Sequence, residues 1–264
     1  LPSMTQTALN NLVFAVPHYK EQTAIAHYLD AKLGEIDALI GKQQTLLEKL
    51  AEQRTAVITH AVTKGLNPAA PMKNSGVEWL GDVPAHWDKI AIHYLVNLKS
   101  GDSITALDLV ENGEYPVFGG GGFRGYINSF THCGKFNLIG RQGALCGNVT
   151  LANGKFFATE HAIVVTPIKK LDTKWLYYLL ITMNLNQYST SAAQPGISAE
   201  VIGRLRVPFP NFKEQATIAD YLDQETAKID RLCDTVNQTI GRLKEYRTAL
   251  ITQAVTGKIK VTDE

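Results

Sequence analysis

Cysteine is scarce in this chain: three in 264 residues, at positions 133, 146 and 233. An odd number with no Cys-x-x-Cys spacing gives neither a disulfide framework nor a zinc site. The expectation is reduced thiols and a cytoplasmic protein. Long apolar runs are lacking too. The longest, Trp175-Leu-Tyr-Tyr-Leu-Leu-Ile-Thr-Met183, falls far short of the roughly 20 residues that span a bilayer, so no membrane partner is expected. Charge of neither sign dominates, with 26 Lys and Arg against 25 Asp and Glu. That balance argues against bulk non-specific nucleic-acid binding and leaves room for a local basic face.

Catalytic signatures are equally thin. There is no His-Glu-x-x-His, no Gly-x-Ser-x-Gly and no close carboxylate pair that insists on acid–base work. His132, Cys133, Cys146 and His161 have no metal-ligand rhythm. Gly120-Gly-Gly122-Phe-Arg-Gly125 matches Gly-x-Gly-x-x-Gly formally, but Tyr126-Ile-Asn-Ser129 continues as strand or turn rather than helix, which removes the dinucleotide context. Gly154-Lys155 has no glycine five positions earlier and makes no phosphate loop. Asn67-Pro-Ala-Ala70 lacks the second proline and the aromatic of the amino-methyltransferase motif, which hold a flipped base. The expectation is a non-enzyme with no metal and no cofactor of its own.

What the chain does contain is one passage written twice. Pro17-His-Tyr-Lys-Glu-Gln-Thr-Ala-Ile-Ala-His-Tyr-Leu-Asp30 returns as Pro210-Asn-Phe-Lys-Glu-Gln-Ala-Thr-Ile-Ala-Asp-Tyr-Leu-Asp223, offset by 193 positions. The match runs without a gap to Thr63 and Thr256, with 22 of 47 residues identical. So wide a spacing is no short-period solenoid; it is one long element used twice.

That element reads as a helix. Leu33, Ile36, Ile40, Gln43, Leu47, Leu50, Arg54, Val57 and Ala61 alternate in steps of three and four. Thr226, Ile229, Cys233, Val236, Ile240, Leu243, Arg247, Leu250 and Ala254 do the same. Both give an a/d seam over about four heptads, the pattern of a coiled coil. Gly65 and Gly257 stand where each helix would end. About 43 residues at 1.5 Å each make a rod of about 65 Å. Arg54 and Arg247 interrupt equivalent seam positions, either fixing register or snorkelling to solvent. Antiparallel pairing would let the middle segment leave and re-enter at one end.

The middle segment has the opposite character, with most of the 21 glycines and many β-branched runs. Phe136–Ile139, Asn148–Leu151 and His161–Thr166 read as strands between glycine turns. Lys174–Met183 and Ser198–Ile202 read as helices. The expected fold class is α+β: a globular mixed domain flanked by two long helices forming an antiparallel coiled coil. Residues 1–16 are read as the remnant of a preceding domain, 17–64 as helix, 65–76 as linker, 77–209 as the domain, and 210–264 as helix and tail. Polar, cationic and aromatic side chains stand on or beside its glycine-rich loops: Lys99, Arg124, Tyr126, Arg141, Gln142, Tyr188, Ser191 and Gln194. Arginine and glutamine can bond guanine and adenine edges bidentately, while serine, lysine and tyrosine serve phosphates.

Several stretches together resemble a known family. They are Ser75-Gly-Val-Glu-Trp-Leu-Gly-Asp-Val-Pro-Ala-His-Trp87, Tyr115-Pro-Val-Phe-Gly-Gly120, Ile139-Gly-Arg-Gln-Gly143 with Gly147-Asn-Val149, Gln194-Pro-Gly-Ile-Ser198, and Val207-Pro-Phe-Pro-Asn-Phe-Lys-Glu-Gln215 leading to Ile218-Ala-Asp-Tyr-Leu-Asp223. With the duplicated helix, they resemble the specificity subunit of type I restriction-modification enzymes. The resemblance implies a target recognition domain that reads one half of a bipartite double-stranded DNA site. It also implies helices that set half-site spacing and dock modification (methyltransferase) subunits. S-adenosylmethionine would be bound by those partners, and cleavage would belong to the restriction subunit. Only one such domain is expected here, a half-size form, since Leu12 answers Leu205 and Met4-Thr5 answers Ile197-Ser198. Met4 can serve as the start, with residues 1–3 not native. Two chains would then associate as a homodimer on a palindromic interrupted site. The competing readings are a scaffold or regulator that binds modification subunits without reading DNA, and an enzyme using the glycine-rich loop for a nucleotide.

Overall fold

The computed structural model describes residues 5–11, 16–189 and 196–261. In chain order its elements are α1 (Gln6–Asn10), α2 (Tyr19–Lys64), β1 (Met72–Asn74), β2 (Asp82–Pro84), β3 (Asp88–Ala91), β4 (Val96–Ser100), β5 (Tyr115–Gly119), β6 (Gly122–Ile127), β7 (His132–Gly140), β8 (Val149–Ala158), β9 (Ala162–Pro167), α3 (Thr173–Thr182), α4 (Ala199–Arg204), β10 (Arg206–Phe209) and α5 (Phe212–Val255). Two compact units result: Leu1–Glu52 with Lys228–Glu264, and Gln53–Ala227. The long helices α2 and α5, of 46 and 44 residues, each contribute to both. The fold class is α+β, as expected.

In the first unit the helices cover one stripe each. Ile36 and Leu50 of α2 are buried, as are Ile229, Val236 and Ile240 of α5, while Leu33, Ile40, Gln43, Leu47, Cys233 and Leu243 are half-buried. Most of the positions between them are exposed, as a seam with a repeat of three and four requires. Arg247 is half-buried and donates from Nε to Asp37 Oδ1 at 3.0 Å and from Nη2 to Oδ2 at 3.4 Å. The head of this seam arginine thus meets a carboxylate on the other helix. The first half of α2 thus lies beside the last turns of α5, an antiparallel sense.

The second unit is built on one large core, with a smaller cluster of Leu138, Ala152, Phe156, Ala158 and Val164 beside it. Ile58, Ala61 and Val62 from the end of α2 and Ile218, Ala219 and Leu222 from the start of α5 join Trp87, Trp175, Leu176 and Leu179 in the large core. Gly65, at φ +73°, ends α2 by donating to Ala61 O. Strand β1, in the linker stretch, pairs antiparallel with β2. Strand β10 pairs with β3, and the remaining strands form one sheet in the order β4-β9-β7-β8-β5-β6.

Polar contacts fix α5 against α3. Asp172 caps α3, accepting from the amides of Lys174 and Trp175 at 2.9 Å. Its own amide donates to Oε1 of buried Gln215, whose Nε2 donates to Pro210 O at 2.8 Å. Lys174 pairs with Asp223, and that hydrogen bond raises its pKa. The Tyr178 hydroxyl donates to Asp223 Oδ1 at 2.8 Å and lies 3.2 Å from Thr226 Oγ1. Burial, more than these contacts, pushes Tyr178 up to about 12.

Candidate nucleic-acid interface

A bend in one β-ribbon assembles the site. Consecutive amides after β4 hold both ends of the turn between β8 and β9: Gly101 N–H donates to Ala162 O and Asp102 N–H to Ala158 O, each at 3.0 Å. Yet Ala162 pairs with Gly140, while Phe156, two residues before Ala158, pairs with His132. In a straight strand His132 and Gly140 would stand about 26 Å apart. The β7–β8 ribbon must therefore curl. Within it Gly134 faces Gly154, both at positive φ, a conformation glycine adopts without steric cost.

Curling gathers four chain segments at one end of the sheet. Gly120, in the two-residue turn between β5 and β6, lies so close that a Cβ there would stand 2.9 Å from His161 O and 3.2 Å from Gln142 O. A Cβ on Gly140 would overlap Gly120 O at 2.1 Å. The glycines that suggested a nucleotide loop instead let backbones pack together, and Gly122–Ile127 is strand, not helix.

Arg141 is the best supported residue of this end. Its amide donates to His161 O at 2.8 Å, and its carbonyl accepts from Ile197 N at 3.0 Å and from Cys146 Sγ at 3.4 Å. Its Nη1 donates to Ser100 Oγ at 3.3 Å, yet the side chain remains exposed. A fixed backbone with an open guanidinium is what bidentate recognition needs. Gln142, also exposed, bridges to Gly196. Arg124 arrives by another device: Val117 pairs with Gly125 and Phe118 with Phe123, leaving Arg124 as the extra residue of a β-bulge. Its side chain lies over Gly119, where a Cβ would meet Arg124 Cδ at 2.5 Å. Bulges commonly re-aim a side chain in this way.

The other candidates divide. Tyr188 ends the 3-10 turn Leu185–Tyr188, which abuts the β7–β8 loop at Gly147, but it is half-buried and packs on the core. Lys99 is exposed on β4. It neighbours Ser100, the partner of Arg141, so the two point to opposite faces of the strand. Tyr126 is exposed and its ring packs on Phe123 at 5.1 Å rather than on the arginines. Ser191 and Gln194 lie outside the described residues. Sequence reasoning missed Ser100, which orients Arg141, and His161, whose carbonyl holds it. It also missed Leu145, exposed in the loop after Gln142. Only Leu145 had a local signal, the glycines at 143 and 147 that bracket it.

Titratable groups nearby are tuned by burial. The Cys146 thiol is pushed up by desolvation. The His132 imidazole, stacked 5.4 Å from Phe156, is pulled down by desolvation first and by Lys99 among lesser causes. Among the described residues, no group of three His, Cys, Asp or Glu side chains could hold a metal ion, and no helix is long and apolar enough to cross a membrane.

The fold, and the sequence that makes it, are shared with a known family. The model of the type I restriction modification DNA specificity domain matches residues 84–242, more than half of the chain, and the chain belongs to that family. It is 40% identical over 154 residues to the type I restriction enzyme EcoprrI specificity subunit of Escherichia coli, covering 57% of this chain and 37% of that protein. The MjaVIII specificity subunit of Methanocaldococcus jannaschii is 23% identical over 99% of this chain and 65% of its own length. The chain thus spans well under two thirds of the first relative and just under two thirds of the second. Among solved structures, one described as the basis of complex assembly and conformational transition of the type I R-M system aligns with TM-score 0.78 and 17% identity, over 98% of this chain and 65% of that one. The HsdS subunit of Thermoanaerobacter tengcongensis aligns with TM-score 0.58 over 98% of this chain and 64% of that one, at 17% identity. These likenesses concern the fold.

Proposed function

We propose that the second unit reads one half of a bipartite double-stranded DNA site with Arg141, Gln142 and Arg124. The observation that supports this reading is the backbone of Arg141, held by His161 and Ile197 while its guanidinium stays open to solvent. Arginine meets guanine O6 and N7, and glutamine meets adenine N6 and N7, in the major groove. Lys99, on the face of β4 opposite Ser100, and exposed Tyr126 suit phosphate contacts that set register without reading sequence.

In this reading the chain performs no chemistry. S-adenosylmethionine is bound by modification subunits that dock on the long helices, and DNA cleavage belongs to a restriction subunit, all in the cytoplasm. Two chains associate as a homodimer, presenting two readers to an interrupted palindrome whose halves lie about one helical turn, roughly 34 Å, apart. The exposed polar faces of α2 and α5 support docking by other subunits.

The test is co-expression with the cognate methyltransferase, followed by mapping of methylated adenines and light scattering of the complex. A bipartite motif and two copies of this chain are expected. Arg141→Ala should cost about 1–3 kcal/mol of discrimination at one base pair. Binding that ignores sequence would leave only a scaffold, and a strict monomer on one half-site would remove the dimer.

A further inference from the structure

The major groove offers protein side chains one apolar group on its base edges, the thymine 5-methyl. A residue that reads it must be apolar, exposed among the base-contacting polar groups, and held stiffly enough to feel a single carbon. Leu145 meets these conditions. It stands four residues after Arg141 and is 54% exposed. Its loop is closed by hydrogen bonds: Cys146 N–H to Gly143 O, Asn148 N–H to Leu145 O, Gly147 N–H to Gly140 O and Gly140 N–H to Asn148 O, at 2.8–3.0 Å. The next side chain, Cys146, is buried and anchors the turn from below.

Leu145 is also supported sideways. A Cβ on Gly121, in the β5–β6 turn, would stand 2.8 Å from Leu145 Cδ1. The bare glycine backbone is what the leucine leans on, so the same convergence that holds Arg141 presents an isobutyl group beside it. Scattered surface leucines are ordinary; one braced on a hydrogen-bonded turn within a base-reading face is positioned to select.

We infer that Leu145 is a specificity-determining residue that contacts a thymine methyl in the half-site, an assignment resting on the DNA-reading role of this face. The experiment uses the full chain with its modification subunit and duplexes carrying the mapped motif. Each thymine is replaced singly by deoxyuridine, which lacks only the methyl, and binding is measured by fluorescence anisotropy. At one position deoxyuridine should weaken wild-type binding about fourfold, the value of one buried methyl-sized group. Leu145→Ala should bind thymine and deoxyuridine duplexes equally at that position, with its melting curve unchanged. Gly121→Ala, which displaces Leu145 without altering a polar group, should shrink the same ratio. A ratio that survives Leu145→Ala, or a half-site in which no thymine is sensitive, overturns the assignment and leaves the DNA-reading face standing. Wild-type binding with no sequence preference overturns both.

Discussion

Two stretches of this chain share a sequence and not a fate. Pro17–Asp30 opens α2 in the first unit, and Pro210–Asp223 opens α5 in the second. One local contact is the same in both, although Asn211 Oδ1 of the second also accepts from the Glu214 amide at 3.0 Å. Gln22 Nε2 donates to Pro17 O at 2.7 Å, just as Gln215 Nε2 donates to Pro210 O at 2.8 Å, so the Gln and the Pro five residues before it close the helix start wherever they occur. Burial differs sharply. Ile218, Ala219 and Leu222 are at most 1% exposed, whereas among their counterparts Ile25 is buried, Leu29 is half-buried and Ala26 is exposed. Identical residues thus carry identical capping chemistry, while the energy they contribute depends on what covers them.

The largest test of that contrast is truncation of the shared leucine. Leu222→Ala should lower the free energy of unfolding by about 2–5 kcal/mol, as buried leucines do. Leu29→Ala, half-buried in the first copy, should cost under about 1 kcal/mol. Urea denaturation of both variants decides it, and equal losses would abolish the distinction between the copies. A smaller effect is expected at the glutamine. Gln215→Ala removes the acceptor of the Asp172 amide as well as the cap and should cost about 1–3 kcal/mol. Gln22→Ala, exposed, should stay within about 0.5 kcal/mol. Faster hydrogen exchange at the Asp172 amide, confined to the Gln215 variant, would localise the loss.

A further effect is one of pH. Tyr178 titrates at about 12 when folded, against 10.0 for the free side chain. A raised pKa favours the protonated, folded state, so this contribution is complete below pH 10 and disappears as pH rises through about 12. Denaturation curves between those values should steepen their fall in the wild type relative to Tyr178→Phe. Asp223→Asn, which removes one of the interactions raising Tyr178, should narrow the window. The equivalent change in the first copy, Asp30→Asn, should leave it unaltered.

How much of this was legible in the sequence follows from the range of the interactions. The seam was legible because a helix repeats its faces every few residues: positions from Leu33 to Leu50 and from Ile229 to Leu250 are buried or half-buried at the spacing their pattern dictates. The strands around Phe136–Ile139 and His161–Thr166 were legible for the same local reason, as was α3. The candidate interface was legible only as a list. Nothing near Arg124 announces a bulge, since that depends on the register with Val117 and Phe118. Nothing near Lys99 says that it faces away from Arg141 while Ser100 supports it.

By itself, then, the sequence determined the paired helices, their capped starts and stops, the α+β class of the segment between them and the family resemblance. These rest on periodicity, capping chemistry and motifs, which short stretches of chain carry. Tertiary structure alone decided which copy of the repeated helix start is buried. It also decided that the β7–β8 ribbon curls, and which backbones meet at Gly120, Gly140 and His161. Those outcomes depend on contacts between residues far apart in the chain, made possible by backbones that approach more closely than any side chain would allow.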